Sequence, residues 1–333
     1  MILIISDASD THASIVNSAL NSIGKRSVIK GFFNFPSSAR ISCNPNESPR
    51  CLHDEEDLGP YSSIWYRRDA LIDTTSIADA NKRETIEREC IAARRACYAA
   101  LEDGDAIWFN DWKAAWAAEN KAAQLSAARK VGFQVPDTLI SNDPDQVRGF
   151  WEQHQAAGVI HKMFYPAQFG NKTACTAPLS AAALANDRLI SAVPGIYQRR
   201  LALQFDLRVF VAGRSAIAAK LQSENKQFVD SRILSHRPGC VHPWALDSAV
   251  QDQCVKLLQR LGLVTGSIDL GVTTEGELVF FEVNQSGNFL WMEQCNPDLP
   301  VLDFQCRFLA SGDPGFEYTP SGNDRLAFSS FAN

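Results

Sequence analysis

Hydrophobic and polar positions follow two different periods along the chain, and the two periods alternate. Near the start, "ILIIS" is a continuous apolar run, which is typical of a strand buried on both faces of a parallel sheet. In the next stretch Ile15, Ala19 and Ile23 recur every four residues, which predicts a helix that ends at Gly24. Strand and helix patterns continue to alternate towards the C-terminus. We therefore expect an α/β or α+β fold with mixed sheets.

A first unit is predicted to end near residue 112. It holds a strand at "RSVIKGFFNF", a loop or irregular hairpin over residues 36–60, a helix over residues 81–103 and a strand at "AIWFND". The strand at "YSSIWYRRDA" ends at Arg67 and Arg68. Ligands of open α/β sheets collect at the carboxyl ends of strands, so the two arginines could bind an anionic group of a substrate. A solvated surface pair explains them equally well.

The next unit begins with "WAAENKAAQLSAARKVG", which predicts a helical segment that carries Leu125 and Ala128 on one face and ends at Gly132. The strand "FQVPDTLIS", a helix over residues 143–157 and the strand "GVIHKMFY" follow. The small residues of "PAQFGNKTACTAP" predict a loop. The strands "GIYQRR" and "FDLRVFVAG" and the helix "VQDQCVKLLQRLG" then lead into a final hairpin.

That hairpin is the segment "GSIDLGVTTEGELVFFEVNQSGN", which alternates apolar and polar residues on both sides of Glu275-Gly276. If these two residues form the loop, Asp269 lies directly opposite Glu282 on one face of the ribbon. Opposed side chains have Cβ atoms roughly 4.5–5.5 Å apart, and like charges at that separation are destabilising. A longer loop would shift this register.

A bound divalent cation would relieve that repulsion. Asn284 lies two residues beyond Glu282 and projects from the same face, so two carboxylates and one amide form a set of oxygen ligands. Such ligands suit Mg²⁺, which proteins hold with one or two carboxylates while phosphates supply other positions. The alternative is a hairpin edge whose charges are hydrated. It fits less well because the opposite face is predicted to be apolar, with Ile268, Leu270, Val279, Phe281 and Val283.

Composition narrows the function without deciding it. At 333 residues the chain is long enough for two or three subdomains. Its net charge of −6 and pI near 5.6 disfavour a generic nucleic-acid binder. The nine cysteines form no C-x-x-C pair, which favours a reduced, cytoplasmic protein over a zinc or disulfide framework. No apolar run approaches the roughly 20 residues of a membrane span, and "MILIISDAS" predicts a strand rather than a signal peptide.

If magnesium lies in the hairpin, a nucleoside triphosphate is its natural companion, and phosphates need basic partners. Lys162 lies in the middle of a predicted strand, where its charge is costly to bury without an anionic partner. Lys121 on a helix and the backbone near Gly170 are weaker candidates. Two Asp-x-Arg pairs are further candidates, with simple internal ion pairing as the alternative: Asp206 with Arg208, and Asp230 with Arg232.

Taken in order, these segments resemble an ATP-grasp ligase, and most closely the microviridin-type (graspetide) peptide ligases. "SIWYRR" is similar to a strand of their N-terminal domain, and "ENKAAQLSAARKVGFQVPDTLISNDP" to the entry of their ATP-grasp module. The resemblance covers most of residues 60–295. Its later motifs, in family order, are "HKMF", "YQRR", "FDLRVFVAG", "GLVTGSIDLGVT" and "FFEVNQSGNFLWME".

The resemblance implies an ATP-grasp fold with an N-terminal Rossmann-like domain. Residues 1–112 would form that pre-ATP-grasp domain, residues 113–197 the small (lid) subdomain, and residues 198–333 the C-terminal subdomain with the magnesium hairpin. ATP and Mg²⁺ would be clasped between the two ATP-grasp subdomains.

The resemblance also implies a role for each matching residue. Arg208 and Arg232 would be catalytic, with Arg208 stabilising the acyl phosphate or the attacked oxyanion. The other implied contacts are Lys121 and Lys162 with phosphates and adenine, the hinge residues Gln198, Arg200 and Leu201 with adenine, Asp206 with the ribose, Arg232 with phosphates, and Asp269, Glu282 and Asn284 with magnesium.

Three positions depart from the family pattern. Arg199 stands where relatives usually carry a glutamate after the hinge glutamine, which affects the adenine contact. Gln285 replaces a proline, and Ser231 replaces a common tryptophan. None of the three removes a metal ligand or a phosphate lysine.

The function implied is ATP-dependent joining of Asp or Glu side chains to Ser, Thr or Lys within one ribosomal precursor peptide, made of a leader and a core. A ligase that adds a free amino acid to a peptide or protein tail is the alternative within the fold. A non-catalytic module that binds nucleotide or leader peptide is an alternative of another class. The resemblance also suggests a homodimer; neither a nucleic-acid nor a membrane partner is expected.

Overall fold

The computed structural model describes residues 1–7, 9–31, 40–44, 50–53, 56–57, 60–70, 72–102, 104–169, 172–222 and 239–332. Its first sheet is parallel, with the strand order β2-β1-β6-β7. The strands are β1 (Ile2–Ile5), β2 (Ser27–Lys30), β6 (Ser63–Tyr66) and β7 (Ile107–Phe109). Between them lie the helices α1 (Thr11–Ser22) and α2 (Ala80–Glu102), and a small antiparallel sheet of β3 (Ile41–Asn44), β4 (Arg50–His53) and β5 (Glu56–Asp57).

Helices cover both faces of this parallel sheet, as its continuous apolar strands predict. Ile2 and Ile4 of β1 face α1, whereas Leu3 and Ile5 face the opposite core, which contains Tyr98 of α2. Asp10 caps the N-terminus of α1, because its side chain accepts a hydrogen bond from the Ala13 N–H at 3.1 Å.

The predicted single helical segment after the first sheet is in fact two helices, α3 (Trp112–Ala117) and α4 (Lys121–Lys130). The physical reason is the cap residue at the break: the Asn120 side chain accepts a hydrogen bond from the Ala123 N–H at 3.0 Å and starts a new helix. The split makes Lys121 the first residue of α4.

The second sheet is antiparallel, with the order β10-β9-β11-β8. Its elements are β8 (Thr138–Ser141), α5 (Pro144–Gln153), β9 (Val159–Phe169), β10 (Lys172–Pro178), α6 (Ala181–Leu184), α7 (Asp187–Ala192) and β11 (Gly195–Arg199). The prediction of a loop at "PAQFGNKTACTAP" is wrong, because β9 continues to Phe169 and pairs with β10. Pairing across the hairpin overrides the weak strand propensity of the small residues.

The third sheet has five antiparallel strands in the order β14-β13-β12-β15-β16. Its elements are β12 (Leu203–Ala212), β13 (Ser215–Leu221), β14 (Val241–Trp244), α8 (Ser248–Arg260), β15 (Thr265–Thr273) and β16 (Leu278–Asn284). One face packs with α4 and α8 through Leu207, Ile268 and Phe280. At one end of the other face, Phe210 and Ala212 pack against the C-terminal helices α9 (Leu290–Cys295) and α10 (Val301–Ser311).

The C-terminal helices also pack against α1 and so join the first and third sheets into one core. Two short 3-10 turns follow α10, at Gly322–Asp324 and Phe328–Ser330. Among the described helices none is both long and apolar enough to cross a membrane.

Candidate functional site

Asp269 on β15 lies directly opposite Glu282 on β16, as the alternation predicts. The predicted two-residue loop is wrong: Thr273 and Glu277 are hydrogen-bonded across the turn, so the loop has the three residues Thr274, Glu275 and Gly276. A β-bulge in β16, where the pairing jumps from Asp269–Glu282 to Leu270–Phe280, compensates for the longer loop.

The bulge changes the position of Phe281, which was predicted to lie on the apolar face. Instead Phe280 is fully buried in the core, whereas Phe281 is half-buried on the face of the carboxylates. A Cβ at Gly271 would lie 2.6 Å from Phe281 Cε2, so only glycine lets the ring lie this close to the sheet. The ammonium of Lys162 lies 5.5 Å from the centre of this ring, within range of a cation–π interaction.

Each of the two opposed carboxylates has a basic partner. Arg208, directly across from Asp269 on β12, donates a hydrogen bond from its Nη1 to Asp269 Oδ1. Lys121 Nζ donates to Glu282 Oε2 at 2.9 Å, and these two side chains are 27% and 38% exposed. The repulsion foreseen from the sequence is therefore relieved by side chains of the protein itself, at a place that solvent and ligands can reach.

These basic residues also set the ionisation of Glu282. Burial favours the neutral carboxyl and raises its pKa, but the positive charges of Lys121, Lys162 and Arg208 outweigh burial and leave the pKa lowered. Glu282 is therefore a carboxylate at neutral pH, which is the form that binds a cation.

Asn284 lies on the exposed end of β16, across from Ser267 and two residues beyond Glu282. Its Oδ1 accepts a hydrogen bond from the Gly287 N–H at 3.0 Å, which leaves one lone pair of that oxygen for another partner. In the described part of the chain no three His, Cys, Asp or Glu side chains cluster in a way that could hold a metal. The candidate set is therefore two carboxylates and one amide, all oxygen donors, which fits Mg²⁺ if phosphates or water complete the shell.

A buried glutamine that the sequence did not single out fixes α4 to the hairpin. Gln124 is 1% exposed; its Nε2 donates to the Val283 carbonyl at 2.9 Å and its Oε1 accepts from the Val283 N–H at 2.9 Å. Lys121 lies three residues earlier on the same helix face, so this pairing aligns Lys121 with Glu282. The i, i+3 spacing of Lys121 and Gln124 was the one feature of the sequence that could have indicated that both face the same partner strand.

The segment predicted to contact adenine joins the second and third sheets. Gln198 is buried and donates from Nε2 to Thr138 Oγ1 at 2.9 Å, and its Oε1 is buried without a hydrogen-bond partner in the described part of the structure. The backbone N–H of Arg200 donates to the Gly158 carbonyl at 2.9 Å. Arg200 is exposed, and Leu201 is half-buried between β11 and β12.

Arg199, the departure from the family pattern, forms an ion pair with a residue at the start of the second sheet. Its Nη1 lies 3.8 Å from Asp137 Oδ2, and its backbone N–H donates to the Asp137 carbonyl at 3.0 Å. The arginine is thus compensated within the chain.

The remaining predicted residues divide into three groups. Asp206 lies on β12, two residues before Arg208 and so on the same face, and is half-buried. Arg232, Asp230, Ser231 and Gly170 lie outside the described residues. Arg67 is completely buried and Arg68 is 43% exposed, and both pair with Asp10 at the start of α1.

No protein-family model matches the chain, and no curated protein matches it in sequence. Solved structures do match. The macrocyclase MdnC of Microcystis aeruginosa MRC, bound with the precursor peptide MdnA, is 25% identical over 93% of this chain and 99% of that chain, with a TM-score of 0.83. A RiPP-associated ATP-grasp ligase of Chryseobacterium gregarium, in complex with ADP and a leader and core peptide, is 22% identical over 94% and 97%, with a TM-score of 0.79.

The ATP-grasp ligase PsnB, complexed with a phosphomimetic variant of its minimal precursor, Mg and ADP, is 22% identical over 93% of this chain and 98% of that chain, with a TM-score of 0.75. The expected α/β fold of the ATP-grasp ligases is therefore confirmed over nearly the whole chain. The resemblance to ATP-grasp macrocyclases is confirmed as well.

Proposed function

We propose that this protein is an ADP-forming ligase that activates Asp or Glu side chains of a ribosomal precursor peptide and closes ester or amide crosslinks. The observation that carries the proposal is the pair Asp269 and Glu282, opposed on adjacent strands and each neutralised by a basic side chain. The likeness in fold to a macrocyclase bound with its precursor peptide supports the peptide substrate.

The charges of the site suit a nucleoside triphosphate with its metal. Lys121, Lys162 and Arg208 place three positive charges around Glu282, and such a cluster can attract the phosphates of a nucleotide. Asp269, Glu282 and Asn284 would hold Mg²⁺, which would neutralise charge on the transferred phosphoryl group. Lys121 and Lys162 would move towards phosphate oxygens when a nucleotide binds.

The other proposed nucleotide contacts follow the implied roles. Asp206 would bind the ribose and Arg232 the phosphates. The segment of Gln198, Arg200 and Leu201 would face the adenine.

The reaction has two steps, phosphorylation of the carboxylate and displacement of the phosphate. A carboxylate oxygen of the peptide attacks the γ-phosphorus of ATP, the bond to the β-phosphate oxygen breaks, and an acyl phosphate and ADP form. A hydroxyl or amine of the same peptide then attacks the acyl carbon, loses its proton and expels phosphate. Arg208 would stabilise the negative charge that develops on the acyl oxygen, and Arg232 would assist. The protein supplies positioning and electrostatic stabilisation rather than a covalent nucleophile.

The domain boundaries, the oligomeric state and the cellular location of the protein are also proposals. Residues 1–112 would form the N-terminal domain, residues 113–197 the lid and residues 198–333 the C-terminal subdomain, with the site between the last two. We also propose a cytoplasmic homodimer, with the exposed Arg68 as a candidate contact for the peptide.

Incubation with ATP, Mg²⁺ and candidate precursors encoded beside the gene tests the proposal. Ring closure predicts ADP release that depends on the peptide, and loss of the mass of one water for each bond formed. A mass gain of one amino-acid residue would instead identify a ligase that extends a tail. Tight ATP binding without peptide-dependent ADP release would identify a binding module.

A further inference from the structure

The loop that follows the hairpin, residues 285–289, crosses the carboxyl ends of the parallel strands of the first sheet. Arg67 directly follows β6, and Asn110 directly follows β7. Both contact this loop, as does His12 at the start of α1. The edge of the sheet where open α/β folds collect ligands is thus filled by the protein's own chain.

Arg67 makes the central contacts. Its Nη1 donates to the backbone carbonyl of Ser286, and its Nη2 donates to Asn288 Oδ1 at 2.9 Å. The side chain is 0% exposed, and Asp10 Oδ2 lies 3.5 Å from its Nε. A buried guanidinium is costly unless it is paired and hydrogen-bonded, so these partners fix its position.

Two further side chains hold the ends of the loop. Asn110 donates from Nδ2 to the Gln285 carbonyl at 3.3 Å and to the Thr265 carbonyl at 2.9 Å, which ties the end of β16 to the start of β15. His12 Nε2 accepts the backbone N–H groups of Phe289 and Leu290, each at 3.2 Å. Burial and the charge of Arg67 lower the pKa of His12 to about 3, which keeps this nitrogen an acceptor.

The Ser286 carbonyl that Arg67 binds belongs to the same peptide group as the Gly287 N–H. That N–H donates to Asn284 Oδ1 at 3.0 Å and to the Asn284 carbonyl at 3.1 Å. A peptide group is rigid and planar, so fixing the direction of its carbonyl also fixes the direction of its N–H. One peptide group thus connects the Arg67 guanidinium to the Asn284 amide oxygen.

We propose that Arg67 is a positioning residue for the hairpin cation site: it holds the Ser286–Gly287 peptide group, which in turn orients the Asn284 amide oxygen. This inference rests on the proposed function, because it assumes that Asn284 is a ligand. It assigns to Arg67 a task inside the protein in place of a contact with substrate.

The test is the affinity of the protein for Mn²⁺, a paramagnetic substitute for Mg²⁺, measured by electron paramagnetic resonance with ADP present. Arg67→Lys keeps the charge but loses the two-pronged hydrogen bonding. It should weaken Mn²⁺ binding about 10- to 100-fold, as loss of a residue that supports a metal ligand does. Arg94→Lys is the matched control, because Arg94 is also buried, donates to the Ala70 carbonyl at 2.7 Å and pairs with Asp69. It should leave the affinity unchanged.

Coupling to Asn284 separates positioning from general damage. If Arg67 acts through Asn284, Arg67→Lys should cause no further loss of Mn²⁺ affinity in an Asn284→Ala background. Equal losses in both backgrounds, or an unchanged affinity in Arg67→Lys alone, would overturn the proposal. If Arg67→Lys does not fold, Asn288→Ala removes one acceptor of Arg67 at an exposed residue and should weaken Mn²⁺ binding in the same direction.

Glu282→Gln distinguishes this proposal from the proposed function. If Glu282→Gln binds Mn²⁺ as tightly as the parent protein, the cation site itself is refuted, and the positioning role with it. If Glu282→Gln weakens binding and Arg67→Lys does not, only the positioning role is refuted.

Discussion

Two Asp–Arg pairs, one in each half of the molecule, have opposite surroundings. Arg208 and Asp269 lie on adjacent strands of the third sheet and are 13% and 18% exposed, beside Lys121 and Glu282, which are 27% and 38% exposed. Arg67 and Asp10 lie at the edge of the first sheet, where Arg67 is 0% exposed and binds a backbone carbonyl of a loop. Arg208 lies within β12 and Arg67 directly follows β6, and neither position in the sequence shows whether the side chain is buried. The difference lies in accessibility: charges that neutralise one another at an open face can exchange partners with a ligand, whereas charges that bind buried backbone cannot.

The largest effect is expected from Glu282→Gln. The change keeps shape but removes a proposed metal ligand, so turnover should fall by at least about a hundredfold, the cost typical of losing one electrostatic group of an active site. Peptide-dependent ADP release measures the loss, and thermal unfolding should show an intact fold. Near-normal product formation would contradict the assignment of the metal site.

Replacing the two arginines by methionine tests the contrast directly. Arg67→Met leaves the Ser286 carbonyl without its buried donor and Asp10 with Arg68 as its remaining basic partner, and should lower the free energy of unfolding by roughly 3 kcal/mol, the upper end of the cost of an unsatisfied buried acceptor. Arg208→Met should cost less than about 2 kcal/mol, because Asp269 is 18% exposed and can be hydrated, yet it should reduce turnover strongly. Denaturant unfolding and ADP release measure the two effects. Equal losses of unfolding free energy in the two variants would contradict the difference in burial between the two arginine sites.

Lys121→Met should separate metal binding from nucleotide binding. Without nucleotide, loss of the ammonium leaves Glu282 free to bind a cation, so Mn²⁺ should bind several-fold more tightly. ADP should bind several-fold more weakly, because the change removes a proposed partner of the phosphates. Calorimetry measures both affinities. Lys130→Met, at the exposed end of the same helix, is the control and should change neither.

The smallest effect concerns the pH dependence of stability. The pKa of His12 is lowered from 6.5 to about 3 in the folded protein, so the unfolded chain takes up a proton first as the pH falls. The contribution of neutral His12 to the free energy of unfolding is therefore fully present above about pH 6.5. It should be smaller by roughly 2 kcal/mol at pH 5.

His12→Gln, which retains an acceptor for the two N–H groups, should flatten the decline in unfolding free energy between pH 7 and pH 5. His242→Gln, at an exposed residue of β14, should leave the decline as in the parent protein. Parallel declines in all three proteins would exclude a neutral, half-buried His12.

The alternation of apolar and polar residues predicts where the strands lie and from which face of the sheet most side chains project. It places Asp269 opposite Glu282 although the loop length was wrong, because the bulge at Phe281 restores the register. Phe281 itself was placed on the wrong face, since nothing in an alternating pattern shows where an extra residue is accommodated.

Contacts between residues distant in sequence were beyond the reach of local patterns. The hydrogen bonds of Gln124 with Val283 and of Arg67 with Ser286 join residues more than 150 positions apart. Glutamine and arginine are common polar residues, and the sequence around them does not show which distant residue they will bind. For the same reason Arg67 and Arg68 looked equivalent in the sequence, although one is buried and the other is 43% exposed.

The most direct measurement is a crystal structure of the complex with Mn²⁺ and a non-hydrolysable ATP analogue, in which anomalous scattering locates the metal. A peak within coordination distance of the Asp269 and Glu282 carboxylates and the Asn284 amide oxygen is predicted, with Lys121 withdrawn towards the phosphates. A bound nucleotide whose metal lies away from these three side chains, with Lys121 still paired to Glu282, would contradict the account.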